Sequence, residues 1–179
     1  MTDGSDASVI STRRLRLIPA TVELARAEMS DRSEFGRQLG ARIPENWPPE
    51  SAADALPYFL ELLESNPNWA GWLGWYAVAT LDDVPTLVGS GGFFGPPDGA
   101  GEIETGYSIL PQFQLQGIAT EMVGGLIGWA TAHDDVRRVV ARTTEDNAGS
   151  RRVLETLGFA DDGPGDEPGG LRYVRTQAR

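Results

Sequence analysis

The chain has 179 residues, of which 40% are hydrophobic, so it is long enough to form one globular domain with a sizeable core. It has no cysteine, which excludes disulfides, cysteine–metal sites and a thiol nucleophile. All 15 basic residues are arginine, so no lysine is available to form a Schiff base. The formal net charge is -11, which disfavours binding to a nucleic-acid backbone.

The N-terminal segment is polar and acidic, and we expect a flexible tail over 1–9 and a single domain over 10–179. The N-terminus does not resemble a secretory signal, and no stretch approaches the roughly 20 apolar residues of a membrane span. We therefore expect a cytoplasmic protein with no membrane partner. The single histidine, His133, is interpreted as a solvated turn residue, and no metal site is expected.

The first third of the chain is predicted to hold one strand and three helices. Residues 13–20 alternate as a strand does, and Thr21 is placed to cap a helix over 22–31. A second helix is predicted over 31–40. A proline-rich loop then leads into a helix that begins near Ala52 and has an apolar face of Leu56, Phe59, Leu60 and Leu63.

The rest of the chain alternates between strands and helices. Strands joined by turn residues predict an antiparallel meander over 74–80, 86–95 and 102–110. The elements that follow are predicted as a helix over 116–132, a strand over 137–143, a helix from the cap Asn147 to the terminator Gly158, and a strand over 171–176. This order favours a mixed sheet flanked by helices.

Two segments have features of a phosphate site. The glycine-rich segment 89–95 is followed by turn residues instead of a helix, so we interpret it as a bulge or a close backbone approach within a strand. The segment from Gln114 to Thr120 lies between a strand and a helix, and Gly117 and Ala119 leave the first helical turn open to an anion. An ordinary capped loop is the alternative.

A second polar pair opens the next helix, about thirty residues later. Asn147 and Ser150 lie one turn apart after the preceding strand. Taken alone, Asn147 is a helix cap and Ser150 an early-helix serine. The pair is more specific when it is combined with the Gln114–Thr120 segment.

These motifs together resemble the GNAT superfamily of acyl-CoA-dependent N-acetyltransferases. "TRRLRLIPAT" is similar to the opening strand of its ribosomal-protein N-terminal acetyltransferase branch, and "EIETGYSILPQFQLQGIATEM" and "NAGSRRVLETLGF" resemble two further family segments. The resemblance covers nearly the whole chain. It implies an α/β (mixed α+β) fold with a mostly antiparallel central sheet of about seven strands, flanked by helices and with splayed central strands.

The resemblance implies acetyl-CoA as cosubstrate, held between the splayed strands. Its pantetheine is expected along Ser108, Ile109 and Leu110, with Asn147 and Ser150 near the thioester arm. Its pyrophosphate is expected to meet the backbone amides of Gln114, Leu115, Gln116, Gly117, Ile118, Ala119 and Thr120.

This chain departs from the family pattern at three of those positions. The family usually has a basic residue at the positions of Gln114 and Gln116 and often has glycine at that of Leu115. Phosphate binding is therefore expected to depend on amides and the helix dipole, with help from Arg151 or Arg152, and to be modest and salt-sensitive.

The resemblance also assigns chemical roles for an acyltransferase. Glu104 is expected to be the general base, with Glu102 as the substitute, and the amide of Leu110 is expected to hold the tetrahedral oxyanion. Ser150, or a water that it holds, becomes the candidate acid for the CoA thiolate, because Leu154 occupies the place of the usual family tyrosine. Since cysteine is absent, direct transfer in a ternary complex is expected.

The acceptor is expected to be a primary amine, either a peptide N-terminus or a small molecule. By analogy with the family, Trp47, Tyr58 and Trp69 are candidates for the acceptor wall. The sequence leaves open whether the protein is monomeric or a homodimer. A non-catalytic CoA-binding or interaction module with the same fold is the alternative function.

Overall fold

A computed structural model describes residues 7–177 and has one eight-stranded sheet with helices on both faces. The order across the sheet is β1-β2-β3-β4-β5-β6-β8-β7, so chain order is broken only at the last two strands. The strands are β1 (Ile10–Ser11), β2 (Leu15–Pro19), β3 (Gly74–Leu81), β4 (Val84–Phe93), β5 (Glu102–Ile109), β6 (Arg138–Thr144), β7 (Ala160–Pro164) and β8 (Gly170–Thr176).

The helices begin where the sequence supplies caps. Thr21 accepts a hydrogen bond from the amide of Leu24, and Asp31 accepts bonds from Ser33 and Glu34, so each caps the helix that follows it. The helices are α1 (Val22–Ser30), α2 (Arg32–Leu39), α3 (Glu50–Ala53), α4 (Leu56–Ser65), α5 (Ile118–Ala130) and α6 (Ala148–Thr156).

The sheet is antiparallel except where β5 pairs with β6. A parallel pair needs a crossover connection, and α5 supplies it. The β5–β6 register runs from Glu102 opposite Arg138 to Thr105 opposite Ala141 and ends there. Beyond Thr105, β5 stays paired with β4, and β6 stays paired with β8. The two strands therefore diverge, which confirms the predicted splay.

Two hydrophobic cores form, one on each face of the sheet. Alternate residues of β3 divide between them, because successive side chains of a strand point to opposite faces. Trp75 and Ala77 join the core under α5 and α6, whereas Tyr76 and Val78 join the core under α1, α2 and α4. The cleft between β5 and β6 is thus framed by two independently packed layers.

Glycines allow the backbone of β4 to lie close to its neighbours. A Cβ on Gly89 would lie 2.5 Å from the carbonyl oxygen of Ser108, and one on Gly92 would lie 1.9 Å from that of Leu73. This confirms the close backbone approach predicted for 89–95. In α5, a Cβ on Gly125 would meet Leu17 at 3.0 Å, whereas one on Gly128 has no atom within 4 Å, so packing explains only the first.

Most predicted elements are confirmed with shifted ends. The sheet has eight strands, where about seven were expected, and β7 lies between Gly158 and residue 171, where no strand was predicted. That segment, Ala160–Pro164, has no apolar alternation, and it forms a strand because β8 provides an edge for pairing. Residues 1–6 of the predicted tail lie outside the described residues. Among residues 7–177, no helix is long and apolar enough to cross a membrane.

Candidate active site

The gap between β5 and β6 exposes one edge of β5. The amide of Leu110 donates to the carbonyl oxygen of Val88 at 3.0 Å, so this amide faces β4 and is occupied. The expectation that Leu110 holds an oxyanion is therefore wrong. Because backbone groups alternate in direction along a strand, the amides of Tyr107 and Ile109 point toward the gap instead.

The turn after β5 presents an open helix N-terminus. Gly117 is the N-cap of α5 with φ 76°, and no side chain caps the helix there. The neighbouring glutamines turn back onto the turn itself: Gln114 donates to the Ile109 carbonyl at 2.9 Å and Gln116 to the Gln112 carbonyl at 3.2 Å. The first-turn amides therefore stay available to an anion, as the open-loop interpretation requires.

Leu115 adopts a conformation that suits glycine. Its φ is 59°, in the left-handed region, and its side chain is 100% exposed. A branched apolar residue rarely takes this backbone conformation. The family preference for glycine at this position thus has a physical basis in the turn, and this chain forms the same turn with leucine.

A cation that the sequence did not indicate lies beside this turn. The Arg14 guanidinium donates to the Gln116 carbonyl at 2.9 Å and pairs with Glu121 of α5 at 2.6 Å. A Cβ placed on Gly117 would lie 3.4 Å from Arg14 Nη2. Arg14 is about a hundred residues away in sequence, so only pairing of β2 into the sheet reveals its position.

Arg151 and Arg152, the arginines that we expected to assist phosphate binding, lie elsewhere. Arg151 donates to the Glu145 carbonyl at 3.3 Å and to the Tyr173 hydroxyl at 3.5 Å. Arg152 lies exposed on α6. Within residues 7–177, neither forms a hydrogen bond or an ion pair with the turn, whereas Arg14 does.

The start of α6 closes the gap from the other side. Asn147 accepts a hydrogen bond from the amide of Ser150 at 3.0 Å, which confirms it as the helix cap. The Ser150 hydroxyl lies 3.0 Å from the hydroxyl of Tyr107 on β5. Burial raises the pKa of Tyr107 above its ordinary value, although its bond with Ser150 opposes the rise. Leu154 is fully buried.

The two strand carboxylates form ion pairs with neighbouring strands. Glu104 pairs with Arg142 of β6, whereas Glu102 pairs with Arg138 at 2.7 Å and with Arg172 of β8 at 3.0 Å. Both glutamates point to the same face of the sheet, as alternation requires. Glu104 is nearer the point where β5 and β6 diverge.

A cavity of about 300 Å³ lies on that face, between β3, β4 and β5 and the helices α1, α3 and α4. Neither Glu104 nor Glu102 lines it. Of the three aromatic residues expected on the acceptor wall, Trp47 lines the cavity, Trp69 does not, and Tyr58 is exposed on α4. Ser90 of β4 and Ser108 of β5 line the part of the cavity that lies near the gap.

Glu28 is the only charged side chain among the described residues that line this cavity. Its carboxylate accepts hydrogen bonds from Trp47 Nε1 at 2.7 Å and from the Tyr76 hydroxyl at 2.6 Å. Burial raises the pKa of Glu28 above its ordinary value, although these two hydrogen bonds oppose the rise. The sequence contained an indication that Glu28 faces the interior, because position 28 continues the buried stripe of Leu24 and Ala25 in α1.

His133 is half-buried and follows α5. Its ring packs against Trp129 at 4.6 Å and Trp72 at 4.8 Å between centroids, so the interpretation as a solvated turn residue is incomplete. No group of three or more metal-ligating side chains occurs in the part of the chain that the structure describes.

Comparison with known proteins identifies the family. The protein-family model of the acetyltransferase (GNAT) domain matches residues 14–160 of this chain. The chain belongs to the GNAT acetyltransferase family. It is therefore an acyltransferase by family, with the turn at Gly117 and the gap beside β5 inside the matched region.

Its relatives include proteins from several bacteria. The chain is 34% identical over 151 residues to YjdG of Bacillus subtilis (strain 168), named as an uncharacterized N-acetyltransferase, and the match covers 84% of this chain and 89% of YjdG. The fold is similar to RimL, a ribosomal L7/L12 α-N-protein acetyltransferase solved with coenzyme A (TM-score 0.62, 17% identity, 94% of this chain and 98% of RimL). It is also similar to the ribosomal-protein-S5-alanine acetyltransferase of Vibrio fischeri (TM-score 0.61, 18% identity, 95% of this chain and 97% of that protein).

Proposed function

We propose that the protein transfers an acetyl group from acetyl-CoA to a primary amine by direct attack in a ternary complex. The uncapped N-terminus of α5 beside the β5–β6 gap carries this proposal, because it offers backbone amides to a diphosphate. RimL, which shares the fold, was solved with coenzyme A. The proposal includes a cytoplasmic location, which fractionation of cells would test.

The residues around the gap fit the coenzyme. Gly117 has no side chain to fill the turn, and the amides of Ile118, Ala119 and Thr120 begin the helix. We assign the diphosphate to 114–120 and the pantetheine to the β5 edge over 108–110. Arg14 lies beside the turn and partly replaces the basic residues that the loop lacks, although its ion pair with Glu121 offsets much of its charge.

The reaction requires a neutral amine, although an alkylammonium has a pKa near that of lysine, about 10.4. We assign Glu104 as the group that accepts the first proton, through water, with Glu102 as the substitute. The amine nitrogen then bonds to the thioester carbon, loses its second proton to water, and the C–S bond breaks. The amides of Tyr107 or Ile109 are placed to hold the oxyanion between these steps.

The CoA thiolate leaves as a thiol after gaining a proton. We assign Ser150 as the donor, with Tyr107 beside it at 3.0 Å to resupply the proton. Overall, an ammonium ion and acetyl-CoA give an amide, CoA thiol and one proton, which is released to solvent. Leu154, which is buried and apolar, has no part in this transfer.

Release of CoA thiol with a panel of amines and peptides tests the proposal, alongside calorimetry with acetyl-CoA. We expect binding of acetyl-CoA and turnover of at least one amine, with Glu104→Gln and Ser150→Ala each slowing the reaction about 100- to 10,000-fold if the group acts in proton transfer. Gln38→Ala, on the exposed surface of α2, is a control that leaves turnover unchanged.

A non-catalytic CoA-binding module is the second candidate, favoured by the occupied state of Glu104 in its pair with Arg142. Binding of acetyl-CoA without turnover of any acceptor would support the module. Absence of acetyl-CoA binding would contradict both functions.

A further inference from the structure

Glu28 is a carboxylate with no cationic partner among residues 7–177. No ion pair among these residues includes Glu28, whereas Glu102, Glu104 and Glu121 each pair with an arginine. It lies instead in a cavity whose other described lining residues are uncharged. A buried charge without a counterion is costly to the fold, so a residue kept in this state is a candidate for ligand binding.

Two neutral donors hold this carboxylate in place, and both of its oxygens can still accept further hydrogen bonds. Trp47 donates to Oε1 and the Tyr76 hydroxyl donates to Oε2. Each carboxylate oxygen can accept a further hydrogen bond. The arrangement therefore orients a negative charge toward a cavity that supplies no cation.

The sheet register places this charge away from the gap. Tyr76 of β3 pairs with Ser90 of β4, and Ser90 pairs with Ser108 of β5, so the three residues form one row across the sheet. Two interstrand spacings separate Tyr76 from Ser108, or about 10 Å. Because Glu28 binds the side chain of Tyr76, we place a group bound at Glu28 on the β3 side of the cavity, away from the β5 edge, where the proposed function places the thioester.

We propose that the acceptor is a small diamine with an apolar spacer: one amine reacts at the β5 edge while the other, as an ammonium ion, binds Glu28. This inference rests on the proposed function and specifies its substrate class. An ammonium held at Glu28 cannot itself be the nucleophile, because only a neutral amine attacks and the thioester lies at the other end of the cavity.

The rest of the cavity suits such a molecule. Its described wall is apolar and includes Trp47, Phe59 and Phe94, which can pack against methylenes and favour a nearby cation. The volume, about 300 Å³, is at the lower limit of roughly 300 Å³ for small-molecule sites. The formal net charge of -11 favours encounter with a dication.

A series of three acceptors with six carbons each tests the proposal. Hexylamine, 1,6-diaminohexane and 6-aminohexanoate carry a neutral, a positive and a negative group at the end remote from the reacting amine. Each is assayed by CoA thiol release with the wild type, Glu28→Gln and Glu61→Gln. Glu61 lies exposed on α4, so its replacement removes the same charge from the same wall without touching the cavity.

We expect the wild type to have a KM for 1,6-diaminohexane about 10- to 100-fold below that for hexylamine, as for one hydrogen bond between charged groups. Glu28→Gln should remove this preference, leave the KM for hexylamine nearly unchanged and improve 6-aminohexanoate. Glu61→Gln should behave as the wild type. Because glutamine can still accept from Trp47 and donate to Tyr76, the variant should fold, which its melting temperature checks.

Equal KM values for hexylamine and 1,6-diaminohexane in the wild type would overturn the proposal. So would a Glu28→Gln variant that weakens all three acceptors by the same factor, because that result indicates a structural role. Turnover of peptides such as Ala-Lys-Ala-Ala with no turnover of the diamine would overturn the small-molecule class while leaving acetyl transfer intact.

Binding provides a readout that does not require turnover. Trp47 lines the cavity with its side chain and binds Glu28, so quenching of its fluorescence reports occupancy by each of the three compounds. Tighter binding of 1,6-diaminohexane, lost in Glu28→Gln, supports the cation site even if no amine is acetylated. No difference between the three compounds would refute it.

Discussion

Replacing Gly117 with alanine tests whether the turn before α5 binds the coenzyme diphosphate. Gly117 has φ 76°, and a Cβ there would lie 3.4 Å from Arg14 Nη2, which is ordinary van der Waals contact. The fold can therefore accept the methyl group at the cost of a left-handed alanine. The same methyl group would occupy the space through which a phosphate approaches the first-turn amides.

Gly40 provides a matched control. It ends α2 with φ 65°, and a Cβ there has no atom within 4 Å. A left-handed L-residue costs about 1–2 kcal/mol, and the lower unfolded-state entropy of alanine offsets about 0.4–1 kcal/mol of it. Each variant should thus lose about 1 kcal/mol of unfolding free energy, which lowers Tm by about 2–4 °C in a chain of this size.

Acetyl-CoA binding should separate the two variants. Loss of one hydrogen bond from an amide to a charged phosphate is worth about 1.5–3 kcal/mol, so Gly117→Ala should raise the calorimetric Kd about 10- to 100-fold. Gly40→Ala should leave the Kd unchanged. The assignment is refuted if Gly117→Ala binds as the wild type does, or if Gly40→Ala weakens binding equally.

Three further outcomes follow from individual side chains. Burial raises the pKa of Glu28 in the folded state, so its ionisation destabilises the protein. The stability of the wild type relative to Glu28→Gln should therefore fall as pH rises above about 4.5 toward the folded-state pKa. Urea unfolding from about pH 4 to 8 measures this difference, and a rise with pH would contradict it. Leu115→Gly should change Tm by less than about 4 °C, because relief of the left-handed strain of leucine offsets the greater conformational freedom of glycine in the unfolded chain. Leu115→Ala keeps the left-handed strain and should therefore melt at a lower temperature than Leu115→Gly. The Kd for acetyl-CoA should rise with salt concentration, and Arg14→Gln should flatten that dependence; a Kd independent of salt would rule out the electrostatic contribution.

The coenzyme side of the site was largely predictable because its residues are close in sequence. A strand, a tight turn and an open helix start follow one another from Glu102 to Ala130, and local backbone geometry alone decides where Gly117 and its amides lie. The cap at Asn147 is equally local. The amide of Leu110 was assigned wrongly because the direction of a strand amide depends on which neighbour it pairs with, and Val88 is that neighbour.

The position of Arg14 and the acceptor side depended on contacts that sequence spacing does not encode. Arg14 reaches the turn because β2 and α5 pack together, and Glu28 enters the cavity because Trp47 and Tyr76 converge on it from a loop and a strand. The apolar stripe of α1 placed position 28 toward the interior but could not identify what it faces.

By itself, the sequence determined the order of most elements and the turn that we propose binds a diphosphate, since these follow from periodicity, caps and glycines within a few residues of one another. The resemblance of its motifs also indicated the family. Only the tertiary structure decided which amides face the gap, which arginine accompanies the turn and which carboxylate lies in the cavity. Those properties depend on strand register and helix packing, which bring together residues that are far apart along the chain.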